Sequence, residues 1–308
     1  MSDMVTPYAN SLFEQPWWLD IVAPGQWHEV FVKDKQDHVV ARMPYVSDGK
    51  RIFMPKLTQN LGIWMDDSVA QDYGKQKDAI NALFAQIPAH KSMVHTLSAE
   101  NQYILPFRWM GYSYEPTFSY RLPELHDLDG LYSRLNKTAK KNIKYARNKV
   151  SISDQFHMEH LWNIQEKTYE AQKRKNPMDR DLLQRIITAC EENGHGKYME
   201  ARDAEGNLHC CSYFVYDEKV CYYLISGSDP AFRGSGAQSL ILWEGIQFAA
   251  EHSKVFDFEG SNIEGIERFF RQFGGVCTPL YTIRKSTFLD EVWMAAKPRI
   301  KRLIGYKI

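Results

Sequence analysis

Between Val220 and Arg284 the chain spells a strand, a glycine-bearing loop, a helix, a strand, a helix and a strand, an order that leaves few folds open. Val220–Ile225 is aromatic and β-branched and reads as a strand. Ser226–Gly236 carries Gly227, Gly234, Gly236 and Pro230 and reads as a loop. Ala237–His252 repeats apolar residues at Leu240, Trp243, Ile246 and Ala250, the spacing of a helix. Val255–Phe258 is a second strand. Ser261 followed by Glu264 is a capping-box signature that opens a helix ending near Gly274-Gly275, and Thr278–Arg284 is the last strand.

The loop carries the chemistry. Arg233-Gly234-Ser235-Gly236 stands directly before a helix, where glycine lets backbone N–H groups converge and the helix dipole adds positive charge. Two readings stand for such a place: a site that holds an anion, often a pyrophosphate, or an ordinary tight turn capped by glycine. It is neither a Walker loop, since no Gly-Lys-Ser/Thr follows, nor a G-x-G-x-x-G dinucleotide loop. Upstream, residues 127–149 read as one helix with a drifting apolar stripe and a crowd of cations at Lys137, Lys140, Lys141, Lys144 and Arg147, and no acid from Leu131 to Lys149. Two readings stand for that face: an ordinary solvated surface, or a site for a phosphate-rich substrate such as a nucleotide-linked sugar, a tRNA or a lipid headgroup.

These residues resemble the GNAT acyltransferase superfamily, and within it the FemAB-like branch that includes BioF2-like proteins and the transferases that build peptidoglycan bridges. The GNAT loop reads Gln/Arg-x-x-Gly-x-Gly/Ala; Arg233 and Gly236 match, and Gln238 stands where Gly or Ala is usual. The FemAB-like pattern of Asp-Phe-x-Gly followed by Phe-Lys-x-x-Phe-Gly reads here Asp257-Phe258-Glu259-Gly260 and Phe269-Phe270-Arg271-Gln272-Phe273-Gly274, with Phe270 in place of the lysine. The resemblance implies an α/β (mixed α+β) chain of two tandem GNAT-like domains, each a mixed sheet flanked by helices. It further implies an acyltransferase (transferase) reaction and a donor held through its pyrophosphate at Ile225, Ser226, Arg233, Gly234, Ser235, Gly236 and Ala237. The donor it implies is acyl-CoA (acetyl-CoA), with aminoacyl-tRNA as the alternative, and no metal is called for. A basic helix like 127–149 opens the second domain of FemAB-like proteins. The implied acceptor is an amine on a small molecule or a cell-envelope precursor.

An internal repeat points the same way. Residues 107–121 align without gaps to residues 270–284; Phe, Arg, Gly, Pro and the final Arg coincide, Phe118 faces Tyr281 and Ser119 faces Thr282. Two copies of one α/β unit follow, with the boundary placed at 1–122 and 123–308. The first copy has no glycine loop, so the donor site belongs to the second. In the first segment, strands are expected near Phe31–Lys33, Val39–Tyr45, Ile52–Met54 and Met93–Leu97, and a helix over Ala70–Ile87 that stops before Pro88. Trp17, Trp18, Trp27 and Trp64 read as packing residues or as the lining of an acceptor groove.

Composition narrows the setting. The 308 residues balance 38 Lys and Arg against 38 Asp and Glu, so no global field draws the chain to DNA or a membrane. Five cysteines, an odd number with no C-x-x-C pair, fit a reducing cytoplasm and small buried hydrophobes at Cys210, Cys211 and Cys221. The opening residues show neither a basic n-region nor an apolar core, so no signal peptide is expected. His157 and His160 lack a third ligand and read as surface residues. The basic tail from Asp290 reads as docked through Trp293, Ile300 and Leu303, or as a peripheral membrane contact.

For transfer to an amine, backbone N–H groups near Ile225 or Ser226 would polarise the donor carbonyl. Asp257 and Glu259 would alternate on one strand face, with Glu259 as the base at the C-terminal end. Arg271 is a further catalytic candidate beside Phe270, which can neither donate nor accept a proton. That phenylalanine keeps two other classes open, a non-catalytic phosphate-ligand binding module and a cell-envelope scaffold.

Overall fold

The computed structural model describes residues 5–260 and 263–286. The elements, in chain order, are α1 (Pro16–Val22), β1 (Trp27–Lys33), β2 (Val39–Ser47), β3 (Arg51–Phe53), β4 (Trp64–Met65), α2 (Asp67–Ala70), α3 (Tyr73–Gln86), β5 (Ser92–Thr96), α4 (Leu105–Trp109) and β6 (Ser113–Leu122). They continue with α5 (Leu128–Arg134), α6 (Lys137–Ala146), β7 (Ser151–Ser153), α7 (Met158–Ala171), α8 (Arg180–Glu192), β8 (Gly196–Arg202), β9 (Leu208–Tyr216), β10 (Val220–Ser228), α9 (Ala237–His252), β11 (Val255–Asp257), α10 (Glu264–Arg271) and β12 (Val276–Lys285). No helix among the described residues is long and apolar enough to cross a membrane.

The chain divides into two compact units. One runs to Pro116 and takes in the strand from Leu280; the other is Thr117–Pro279. The division thus falls inside β6, whereas the boundary expected after residue 122 lies at the far end of that strand.

In the first unit β1, β2 and β3 pair antiparallel in succession, β4 pairs with β2, β3 runs parallel to β5, and β12 runs antiparallel to β5. Its core gathers Val30, Met43, Ile52, Ile80, Leu83, Met93, Phe107 and Ile283. Each such side chain contributes roughly 1.5–3 kcal/mol on burial. Trp18 is fully buried and its indole N–H donates to Thr58 Oγ1 at 3.0 Å, so it is a packing residue.

The second unit is also a mixed sheet. β6 pairs antiparallel with β11, β11 runs parallel to β10, and β10, β9, β8 and β7 follow antiparallel. α9 is buried along most of its length, as a helix apolar on nearly every side must be. Gly245 lets it sit on the Phe214 ring, since a Cβ there would meet that ring at 2.3 Å. Cys190, Cys210, Cys211 and Cys221 are buried and unbridged, with burial pushing their thiols up, and Cys277 is exposed.

Both repeat copies have the same local form. Each is a helix end, then a left-handed glycine (Gly111 at φ +85°, Gly274 at φ +77°), then a strand beginning two residues later at Ser113 or Val276. Each copy's closing strand joins the other copy's sheet: β6 pairs with β11, and β12 with β5.

The helix expected over 127–149 is instead two. Asn136 interrupts it, its side chain accepting from Thr138 N at 2.6 Å to cap α6 afresh. β10 runs on to Ser228, beyond the expected loop start, and residues 230–235 wind into a 3₁₀ turn. The capping-box serine, Ser261, and the basic tail from Asp290 lie outside the described residues.

Candidate active site

The site begins where β10 and β11 part. Their parallel pairing is registered only from Val220–Val255 to Tyr222–Asp257, yet β10 continues to Ser228. On its other side β10 carries a bulge: Tyr222 faces Val215 and Ile225 faces Tyr213, so Tyr223 and Leu224 together oppose Phe214. A bulge bends its strand and re-aims the backbone. The edge of β10 from Tyr223 to Ser228 therefore has no registered partner in β11, whose end at Asp257 leaves a wedge beside it.

The glycine loop closes one end of this wedge. Asp229 caps the 3₁₀ turn, accepting from Ala231 N at 2.9 Å, and its other oxygen takes Lys167 Nζ at 2.5 Å. Burial pushes the Asp229 carboxyl up, but those two donors more than offset it and hold it below the usual range. Thr168 on α7 grips Ser228 through both its N–H and its carbonyl, each at 3.3 Å. The turn is thus anchored at its start while Arg233 and Gly234 are exposed. A side chain at Gly234 would meet nothing within 4 Å.

Gly236 plays a different part. It adopts φ +73°, and a Cβ there would stand 2.5 Å from the carbonyl oxygen of Asn142. Its glycine is required by the close approach of the loop to α6. Gln238 folds inward from the first turn of α9: its amide nitrogen donates to the Tyr223 hydroxyl and lies 3.4 Å from Ser212 Oγ. Burial raises the Tyr223 phenol to about 12, so it stays protonated. The departure from Gly or Ala at position 238 therefore does not cover the loop. Ile225 and Ala237 are buried, and Ser226 and Ser235 are half-buried.

On the far side of the wedge, Asp257 is 3% exposed and fully engaged. Its Oδ1 accepts from the Ser119 hydroxyl and from Glu259 N at 2.8 Å, and its Oδ2 stands 3.3 Å from Arg121 Nε. Glu259 is half-buried, with φ +59°. That left-handed backbone ends the strand at Asp257, so the expected pleat alternation of Asp257 and Glu259 does not hold; a turn aims Glu259 instead. Gly260 follows at φ +63°, where a Cβ would collide with Phe118 O at 2.0 Å.

Phe270 belongs to the core, its ring packed against Tyr223, Phe258 and Phe269. Arg271 is exposed and ion-paired to Glu267 at 3.2 Å, and Glu267 accepts from Tyr120 OH at 2.6 Å. That hydrogen bond raises the Tyr120 phenol to about 12.

The cations of α6 separate into two groups. Lys137, Lys141 and Lys144 are exposed, at a spacing that puts them on one face. Lys140 donates to Ser133 O at 2.7 Å and lies over the Tyr132 ring, while Arg147 pairs with Glu244 at 3.3 Å. His160 is not a bare surface residue: its Nδ1 is 2.8 Å from the buried Glu200 carboxylate, which Arg202 and Tyr198 also hold. Among the described residues no group of three or more His, Cys, Asp or Glu is placed to hold a metal ion. A depression of about 580 Å³ in the first unit, at Arg108 and residues 111–114, includes none of these groups.

Sequence reasoning missed Ser119, Arg121 and the Ser212–Tyr223–Gln238 cluster. Ser119 and Arg121 had a signal, because both lie in the repeat, opposite Thr282 and Arg284.

The edge of β10 beyond its last pair with β11, the bulge beside it and the glycine turn leading into the buried α9 together make the candidate site. Residues 133–271, which include the glycine turn, α9 and β11, match the family model described as acetyltransferase (GNAT) domain. The chain is similar in fold to FemX, whose crystal structure aligns with a TM-score of 0.66 at 12% identity, covering 88% of this chain and 91% of that one. L-PGS from Bacillus licheniformis aligns with a TM-score of 0.52 at 12% identity, covering 94% and 91%. A tandem GNAT protein from the clavulanic acid biosynthesis pathway aligns with a TM-score of 0.50 at 10% identity, covering 85% and 83%. A sequence search of curated proteins finds no match.

Proposed function

We propose that the second unit transfers an acyl group from acyl-CoA, held at the β10–α9 turn, to an amine on a phosphorylated acceptor, with a cell-envelope precursor as the acceptor class. The observation that carries this reading is the free edge of β10 beyond Tyr222 beside the exposed turn at Gly234. The turn and the first N–H groups of α9 suit one pyrophosphate. A backbone N–H at Ile225 or Ser226, beyond the bulge, would polarise the acyl carbonyl. Glu259 lies two residues past Asp257, the last residue registered with β10, and takes the proton of the attacking amine. Asp257, already engaged by two hydrogen-bond donors and paired with the Arg121 guanidinium, orients rather than abstracts. The exposed lysines 137, 141 and 144 would meet the acceptor's phosphate.

The test is thiol release from acetyl-CoA with a panel of primary amines, together with calorimetry using CoA. Glu259→Gln should lower turnover about 100-fold while leaving CoA affinity similar. Unchanged turnover removes Glu259 from the mechanism. A second reading, an aminoacyl-tRNA donor, is favoured by the breadth of the exposed α6 lysine face. Wild-type protein that binds no CoA, but binds tRNA with a steep salt dependence, would establish it.

A further inference from the structure

The internal repeat provides a control for the buried charges around Asp257. Residues aligned in the two copies occupy corresponding positions in the two closing strands: Arg121 is registered opposite Asp257, and Arg284 opposite Val94. The place filled by a carboxylate in the second unit is filled by valine in the first. Likewise Thr282, the counterpart of Ser119, bonds only a hydroxyl, Thr96 Oγ1 at 2.9 Å. The fold therefore does not need an acid there. Burying one costs desolvation that its partners only partly repay, and an apolar residue of similar size is often as stable.

What Asp257 does with that cost is visible in its contacts. One oxygen accepts the Glu259 backbone N–H at 2.8 Å, which fixes Glu259 in its left-handed conformation. A non-glycine residue adopts that conformation at a cost and only when its surroundings impose it. The same oxygen takes the Ser119 hydroxyl, and the other faces Arg121 at 3.3 Å, with Arg121 only 12% exposed. The turn that aims Glu259 is thus set from β6, the strand that ends the first copy.

We propose that Ser119 and Arg121 are positioning residues that act through Asp257 to hold Glu259 at its working geometry, so that the first copy of the repeat completes the site of the second. The proposal rests on the reading of Glu259 as the base, and its test separates the two. Ser119→Ala, Arg121→Met, Arg121→Lys and the repeat counterpart Arg284→Met are made in the full chain. Thiol release from acetyl-CoA with the amine panel gives kcat and KM. The carboxyl carbon resonance of Glu259, assigned by its loss in Glu259→Gln, is followed in ¹³C-glutamate-labelled protein.

Ser119→Ala and Arg121→Met should lower kcat about 10- to 100-fold, as a displaced catalytic group does. The KM for acetyl-CoA should stay within about twofold, with Arg121→Lys intermediate. Both variants should move the Glu259 resonance, and Arg284→Met should change neither measurement. An equal loss of kcat in Arg121→Met and Arg284→Met, or a Glu259 resonance unmoved in Ser119→Ala, overturns the proposal. If the wild type releases no thiol, the acyl-CoA reading fails and the resonance alone decides the positioning role. Should Arg121→Met fail to fold, Ser119→Ala, which removes one hydroxyl, carries the test.

Discussion

Replacing Gly236 by alanine should destabilise the protein before it affects any ligand. The residue sits at φ +73°, where a side chain costs about 1–2 kcal/mol. The new Cβ would also lie 2.5 Å from Asn142 O and 3.1 Å from Asn142 C and Cα. Those are main-chain atoms of α6, whose Ala139, Ile143 and Ala146 are fully buried, so the helix has little room to retreat. Overpacking of this kind costs a further ~1–3 kcal/mol. A Gly→Ala change recovers only ~0.5 kcal/mol through the unfolded chain. The net loss is about 2–4 kcal/mol, which lowers Tm by about 5–15 °C in a thermal melt. Gly234→Ala is the control, having no positive φ and nothing within 4 Å, and it should melt within about 2 °C of the wild type. A Gly236→Ala protein that melts with the wild type would refute the argument that this glycine serves helix packing. Gly234→Val is then the proper probe of donor binding, expected to weaken CoA at an unchanged Tm.

Glu14 should make stability fall between pH 4.5 and 7. Burial raises its carboxyl to about 7 despite N–H donors at Asn10 and Gly62, so the folded state keeps its proton after the unfolded chain has lost it. This contribution, on the order of 3 kcal/mol, is complete below pH 4.5 and gone above 7; Glu14→Gln should flatten that part of the curve in urea titrations. Gly260→Ala should cost more than Gly236→Ala, since its Cβ would lie 2.0 Å from Phe118 O, and comparative thermal melts check the order. Charge reversal at Lys141 and Lys144 together should leave CoA binding unchanged in calorimetry and lower the salt slope of tRNA binding by about 2.

The strand-loop-helix-strand grammar was legible because it depends on local signals. Ala237–His252 matches α9, the glycines at 111 and 274 end their helices in the left-handed form, and the repeat aligns strand for strand. The site was legible only in part. Glycine in the loop announced a special backbone, but not which neighbour required it; at Gly236 that neighbour is Asn142, distant in sequence. The alternation expected of Asp257 and Glu259 assumed a continuous pleat, and hydrogen bonding to Asp257 turns the chain one residue too soon for it. The long basic helix was expected because its apolar stripe drifts on through Leu135; Asn136 finds a better use as a cap. Phe270 looked like a missing catalytic group in one dimension, whereas its ring faces Tyr223 and Phe258.

The exchange of closing strands has a consequence for how the chain is made. The ribosome releases β5 early, but its antiparallel neighbour β12 is encoded only after α10. Until then the edge of β5 presents unmet N–H and C=O groups, a template for pairing with the wrong chain. In the second sheet β6 waits likewise for β11, which is made before β12. Vectorial synthesis therefore allows the β6–β11 pair to close before the β5–β12 pair, and the edge of β5 is covered only once β12 has been translated.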